Sequence, residues 1–320
     1  MARLLEGKVA LVTGAGRGLG RAHALGLAEA GAAVLANDLG GAFTGGGADR
    51  SAAESVAREI QAKGGRAVAD FGNVGDWNAC EAMVERAITE LGGLDIIVNN
   101  AGICRFADMG EQTREDWELT IAVNLNGTAA VGNAAARYWR KMGPRAGRAI
   151  INTSSPAGTN PAPGSPSYCA SKAAVAGLTI ASAIPLAPLG VRVNAIAPMA
   201  RTRMTLAVPA LDDIMKPVTN GFDRVAAENV SPLVVFLASE RCRFTARVFG
   251  IEGDDLYLFD GWSAEHHFHN HQKRWTPETL EHALAWVDRQ DRGFMIAPSR
   301  RIDAPSPSDE TLAALESVRS

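Results

Sequence analysis

Residues 8–20 read KVALVTGAGRGLG, and the fold turns on how this stretch is understood. Its opening, KVALVT (8–13), is apolar almost without a break, as in a strand buried on both faces. From Thr13 the composition changes to TGAGRGLG (13–20). These glycines do not fit GxGxxG, because the third would fall on Leu19. They do fit TGxxxGxG, through Thr13, Gly14, Gly18 and Gly20. A helical pattern over 18–30 follows. Glycine lets a backbone turn tightly and approach a phosphate, and a helix N-terminus offers unpaired N–H groups and a partial positive charge. A tight turn alone would also use glycine. The strand before it and the helix after it favour a pyrophosphate loop.

The same alternation continues outward. AAVLAN (32–37), RAVAD (66–70), LDIIVNN (94–100), RAIINTS (148–154) and VRVNAIAP (191–198) read as buried strands. Helical patterns fall at 49–63, 76–91, 113–140 and 167–184. Strand–helix alternation predicts a parallel sheet with helices on both faces, and right-handed crossovers make it a doubly wound α/β fold. Past 240 the rhythm changes. Residues 246–262 read as two short strands around an EGDD turn, and 276–290 as a helix with Thr276 as N-cap and Pro277 at its first position. A linker at 304–310 leads to a short final helix capped by Ser308. The expected organisation is a core domain over 1–240 and a C-terminal extension over 241–320 that packs on it.

Composition narrows the function classes. The chain has 320 residues and a net charge of −3, which argues against nucleic acid or an anionic membrane as the main partner. Cys80, Cys104, Cys169 and Cys242 form no CxxC pair, so neither a zinc site nor a disulfide framework is indicated. They read as reduced thiols of a cytoplasmic protein. No run reaches the ~18–20 apolar residues of a membrane span.

Three further stretches carry chemistry. The second strand ends in NDLGG, with Asp38 about 20 residues past the glycines. A carboxylate there accepts hydrogen bonds from adenine-ribose hydroxyls and repels a 2′-phosphate by about 4 kcal/mol at ~4 Å. It favours NAD over NADP, although a turn-forming aspartate would also suit this position and Arg17 in the loop could receive a 2′-phosphate. VNNAG (98–102) follows the fourth strand. Finally, SYCASK places Tyr168 and Lys172 four apart on one helix face. A nearby ammonium favours phenolate, and such a tyrosine can take a proton from an alcohol as hydride leaves. Ser155 follows the fifth strand, where ligands bind in this architecture, though Ser-Ser-Pro is also good turn material. Asn124, inside a helical stretch that also carries Gly127, suggests a kink or a held water.

Taken in order, TGxxxGxG, NNAG, Asn124, Ser155, Tyr168, Lys172 and VNAIAP resemble the short-chain dehydrogenase/reductase family over about 8–205. The resemblance implies a Rossmann-like fold and NAD-dependent oxidation of a secondary alcohol. It implies Tyr168 as acid/base, Lys172 as the group that lowers its pKa and binds ribose, Ser155 as the group orienting the substrate oxygen, and Asn124 as holder of a relay water. It also implies that Gly14, Arg17, Gly18, Leu19, Gly20, Asp38, Asn73, Val74, Asn100, Ala101, Gly102, Pro198 and Thr202 line the cofactor together with Tyr168 and Lys172. Residues 37–74 and 228–239 are similar to the dehydrogenase part of peroxisomal multifunctional enzymes type 2, which implies a 3-hydroxyacyl-CoA substrate. A hydroxysteroid or other secondary alcohol is the alternative, and an NAD-binding sensor the alternative of another class. Relatives pair the helices at 113–140 and 167–184, so a homodimer or homotetramer is implied.

Departures from the family pattern are Met199 after the proline, Asn73 for a frequent aspartate, the region past 240, and Pro185, which should end or kink its helix early. The histidines at 266, 267, 269 and 271 lack the spacing of a metal site, so no metal is expected. Arg201, Arg203, Arg241, Arg243 and Arg247 read as solvated charge or as contacts for coenzyme A phosphates.

Overall fold

The computed structural model describes residues 3–161, 163–259 and 268–288. The chain runs through β1 (Val9–Thr13), α1 (Gly18–Glu29), β2 (Ala33–Asn37), α2 (Ser51–Ala62), β3 (Ala67–Asp70), α3 (Trp77–Leu91) and β4 (Ile96–Asn99). It continues with α4 (Arg114–Ile121), a π-helical turn (Ala122–Asn126), α5 (Gly127–Met142), β5 (Arg148–Thr153), α6 (Pro156–Thr159), α7 (Pro166–Leu186) and β6 (Val191–Pro198). Then come α8 (Ser231–Ala238), β7 (Arg247–Glu252), β8 (Asp255–Phe259) and α9 (Pro277–Asp288).

The strands form one sheet in the order β3-β2-β1-β4-β5-β6-β7-β8. Every pairing is parallel except β7 with β8. Strand order reverses between β1 and β4, which opens a crevice beyond their carboxyl ends. Successive strand residues face opposite sides, and the two faces bury separate cores. Ala10 and Val12 pack with Leu27, Ile60 and Val234 from α1, α2 and α8. Val9 and Leu11 pack with Met83, Val131 and Leu186 from α3, α5 and α7. This is the doubly wound arrangement that the near-continuous apolar strands predict.

Local chemistry sets the helix ends. Asp76 caps α3 by accepting from the Asn78 N–H at 2.9 Å, and Gly92 closes it with φ 89°. Thr113 and Asp116 form a reciprocal capping box at α4. The expected single helix over 113–140 is divided by the π-helical turn around Asn124. Pro185 lies one residue before the end of α7, and a 3₁₀ turn and Gly190 follow. The proline lacks the N–H that would continue the ladder, yet α7 runs through it to Leu186, two residues past the expected end at 184, so the helix does not end early.

Residues 166–189 do reach the length and apolarity of a membrane span, which the sequence reading did not find. The helix nevertheless buries Ser167, Ser171, Lys172 and Thr179. Thr179 accepts from Asn152 of β5 at 2.9 Å, which marks α7 as a core helix lying on the sheet.

The chain divides into two compact units, Met1–Ser263 and Ala264–Ser320. β7 and β8, expected in an extension from 241, thus fall in the first of these units. The two strands expected around EGDD are present, and β7 extends the parallel sheet along β6 from Asn194 to Pro198. In the second unit the Thr279 N–H donates to the Thr276 hydroxyl at 3.3 Å, the cap expected for α9. The 304–310 linker, the final helix, His266 and His267 lie outside the described residues. His269 and His271 meet edge to face, with ring centroids 5.1 Å apart.

Candidate active site

The glycine loop spans the end of β1 and the start of α1. Gly14 and Gly18 take left-handed φ values of 64° and 51°. A Cβ on Gly20 would lie 2.0 Å from the Gly14 carbonyl oxygen, so only glycine fits there. The loop is braced by β4. The N–H groups of Asn100 and Ala101 both donate to the Thr13 hydroxyl at 3.1 Å. The Asn100 amide donates to the carbonyls of Thr13 and Gly14 at 3.0 and 3.1 Å. The first turn of α1 has no side-chain cap and no acidic residue, which leaves its N–H groups and dipole for an anion. This arrangement fits a dinucleotide pyrophosphate.

Asp38 sits at the carboxyl end of β2. Its two oxygens accept from the N–H groups of Gly16 at 2.7 Å and Gly40 at 2.6 Å. A carboxylate has about four lone-pair positions, so room remains for ribose hydroxyls. Arg17 points to the Asp49 carboxylate at 3.1 Å and the Gly40 carbonyl at 3.5 Å. Asn73 and Val74 lie in the loop after β3, where Asn73 accepts from the Gly75 N–H at 2.9 Å. The buried Val74 carbonyl accepts from the Cys80 thiol at 3.3 Å. The Leu19 side chain packs into the core beneath α1, so only its backbone is available to the loop.

Asn124 is fully buried in the π-helical turn. Its amide accepts from the Ile103 N–H at 2.8 Å and donates to the Ile103 carbonyl and the Ser171 hydroxyl, both at 3.0 Å. The expected kink is therefore present, and the side chain locks the segment after Gly102 to α7. The Lys172 ammonium is buried and donates to the Thr153 carbonyl at 2.8 Å. A Cβ at Gly102 would lie 3.4 Å from both the Lys172 Nζ and the Asn124 Oδ1, so this glycine lies between the two groups.

Ser155 caps the short α6, its hydroxyl accepting from the Ala157 N–H at 3.1 Å, with Pro156 behind it. The turn reading of Ser155 is met, and the same hydroxyl is also hydrogen-bonded to the Tyr168 phenol. α6 fits tightly on α7: a Cβ on Gly158 would lie 2.6 Å from the Lys172 carbonyl carbon. The Ser154 hydroxyl donates to the Lys172 carbonyl at 2.8 Å.

The electrostatics differ from the sequence expectation. Desolvation pushes the Tyr168 phenol up to about 12, against the Ser155 hydrogen bond, which pulls it down. Lys172 is itself desolvated, which brings its ammonium down to about 8. Its Nζ stands 5.7 Å from the Tyr168 ring centroid and is bonded to Thr153. In the protein alone, burial outweighs the Ser155 hydrogen bond.

On the far side of the loop, Thr202 follows β6, whose last residue Pro198 pairs with Ile251 of β7. The Thr202 methyl lies 3.6 Å from a Cβ built on Gly18. Arg201 forms two hydrogen bonds to Asp223, at 2.7 and 2.9 Å, and Arg203 donates to the Gly41 carbonyl at 3.3 Å. Arg241, Arg243 and Arg247 lie before or at the start of β7, on the opposite edge of the sheet. That placement removes them as contacts for a ligand at the crevice. Sequence reasoning gave no role to Thr13, Thr153 or Ser171. Thr13 leads the glycine motif, and Ser171 lies one position before Lys172. Thr153 acts through its carbonyl, which no side-chain motif reports.

A glycine loop, a carboxylate at the end of β2 and a Ser–Tyr–Lys set on one crevice have the make-up of a dinucleotide-dependent oxidoreductase acting on CH–OH. The short chain dehydrogenase profile matches residues 8–210, and the chain belongs to that family. It is 40% identical over 248 residues to the mouse peroxisomal multifunctional enzyme type 2, covering 77% of this chain and 32% of that protein. The chain thus spans about a third of that relative's length. It is 38% identical over 292 residues to hydroxyacyl-CoA dehydrogenase ChsB1 of Mycobacterium tuberculosis, covering 88% of each. A short chain dehydrogenase structure from Mycobacterium avium superposes with TM-score 0.78 at 40% identity, covering 90% of this chain and 97% of that one. One from Burkholderia cenocepacia in complex with NADP gives TM-score 0.67 at 33% identity, covering 78% and 98%.

Proposed function

We propose that the protein is an NAD-dependent 3-hydroxyacyl-CoA dehydrogenase that interconverts a secondary alcohol and a ketone. The observation that carries the reading is the Ser155–Tyr168 hydrogen bond, set beside Lys172 and Asn124 at the crevice where strand order reverses. NAD, when bound, accepts the hydride from the carbinol carbon. Tyr168 takes the hydroxyl proton in the oxidation direction and returns it in reduction. Ser155 holds the substrate oxygen against the phenol. Lys172 binds the nicotinamide ribose and adds positive charge near the phenol. Asn124 keeps the Gly102–Ile103 segment in place and holds the relay water. Gly14, Gly18 and Gly20 receive the pyrophosphate. Asp38 takes the ribose hydroxyls and disfavours a 2′-phosphate, and this is the basis for NAD over NADP. Asn73, Val74, Asn100, Ala101, Pro198 and Thr202 complete the cofactor wall.

The likeness to relatives named for hydroxyacyl-CoA chemistry supports the substrate class. We place the enzyme in the cytoplasm, consistent with four buried cysteines that form no disulfide. The homodimer or homotetramer reading is supported by α7, which leaves Ile180 and Ile184 42% and 78% exposed. The test is NADH formation with a panel of 3-hydroxyacyl-CoAs, hydroxysteroids and simple alcohols. Turnover should be fastest with the thioesters. Faster turnover of steroids would move the assignment to that class, and tight NAD binding without turnover of any member would make the protein a sensor.

A further inference from the structure

The loop between β2 and α2 carries a charge arrangement that the cofactor reading leaves unused. Arg17 is the residue of the glycine loop best placed by charge to receive a 2′-phosphate. Its guanidinium instead lies 3.1 Å from the Asp49 carboxylate. Asp49 is held firmly. Its N–H donates to the Leu39 carbonyl at 3.0 Å. Its other oxygen accepts from the N–H and hydroxyl of Ser51 at 3.0 and 2.6 Å. These Ser51 hydrogen bonds, with Arg17 adding to them, hold the carboxyl below its ordinary range, so Asp49 stays charged at neutral pH. The loop is tied down at three other places. The Phe43 carbonyl accepts from the Cys104 N–H at 2.9 Å, the Thr44 carbonyl from Arg105 at 2.8 Å, and the Gly41 carbonyl from Arg203 at 3.3 Å. Asp49 is therefore a fixed anion, and Arg17 is paired with it.

The other cations near this end are already engaged. Arg50 stacks on the Phe71 ring at 4.7 Å, and Arg203 sits on the Gly41 carbonyl.

We infer that Asp49 is a positioning residue for cofactor choice: by pairing with Arg17, it keeps from a 2′-phosphate the cation of the glycine loop that could neutralise it. Discrimination against NADP then has two parts. Asp38 repels the phosphate directly, and Asp49 sequesters its counter-charge. The inference rests on the NAD reading above.

The test measures cofactor binding without turnover, by displacement of bound NADH fluorescence with NAD⁺ and with NADP⁺. The proteins are the wild type, Asp49→Asn, Asp49→Glu, Arg17→Gln and the Arg17→Gln/Asp49→Asn double variant. Asparagine keeps an oxygen for the Ser51 bonds, so the start of α2 is preserved. An interaction of one charge with a phosphate across ~8 Å of partly solvated protein corresponds to about tenfold in affinity. Asp49→Asn should narrow the NADP⁺ to NAD⁺ ratio of dissociation constants by about that factor. Asp49→Glu should keep the wild-type ratio, and the double variant should match Arg17→Gln alone. An unchanged ratio in Asp49→Asn overturns the inference. So does an equal narrowing in the Arg17→Gln background, because Asp49 would then act by its own charge. A wild type that binds NADP⁺ more tightly than NAD⁺ overturns the cofactor reading itself, a separate result read from the first protein alone.

Discussion

At the scale of single residues, burial decides charge. Tyr168 shows this at the site, since desolvation raises its phenol despite the Ser155 hydrogen bond. His23 shows it away from the site. It is fully buried in α1, its Nδ1 lies 3.1 Å from the Ser231 hydroxyl, and desolvation lowers it to about 3. The folded value is below the unfolded one near 6.5, so between them the unfolded chain binds the extra proton. Stability is therefore full above about 6.5 and falls as pH drops toward 3. Between pH 6.5 and 4 this one group removes roughly 3 kcal/mol. Urea melts of His23→Gln at the two pH values should show a pH-dependent loss smaller by about that amount. An identical loss in both proteins would contradict the assignment. None of this is legible in the sequence, because a titration direction depends on what covers the group.

At the scale of elements, the outcome separates local from long-range information. The strands were readable because a strand buried on both faces is apolar throughout, as KVALVT and RAIINTS are. Most helix ends fell within two residues of expectation. The π-helical turn was only hinted at by Asn124 and Gly127. Its cause is a contact 21 residues away in the chain, where Asn124 pairs with both backbone groups of Ile103. The place of β7 in the sheet was missed for the same reason: its partner β6 is far off in sequence. The proposed set of Asn124, Ser155, Tyr168 and Lys172 was legible as spacing, whereas the Thr13 bracket and the Thr153 carbonyl were not. Asn124→Ala leaves the Ile103 N–H and carbonyl buried without partners, which destabilises by about 2–4 kcal/mol. A urea midpoint shift should report it, together with weaker NAD binding. An unchanged midpoint would show that the turn holds without its side chain.

At the scale of the whole molecule, the sheet brings the chemistry to one edge and leaves an apolar face elsewhere. On α7, Ile180 and Ile184 are exposed although the helix is apolar enough to cross a membrane. Trp117 on α4 is also 41% exposed. Pairing these faces in a homo-oligomer removes apolar surface from water. Sedimentation velocity should find a dimer or tetramer for the wild type and a smaller species for Ile184→Glu, with the fold intact by circular dichroism. A monomeric wild type would contradict the pairing.

The central claim is that the Tyr168 phenol moves the proton while the rest of the site holds cofactor and substrate. It is tested most directly by the single-turnover rate of hydride transfer in Tyr168→Phe, measured at saturating NAD and 3-hydroxyacyl-CoA. The account predicts a rate lower by roughly 10²–10⁴, loss of the wild-type rise in oxidation rate with pH, and an NAD dissociation constant within a few-fold of wild type. Hydride transfer at the wild-type rate in this variant would contradict it.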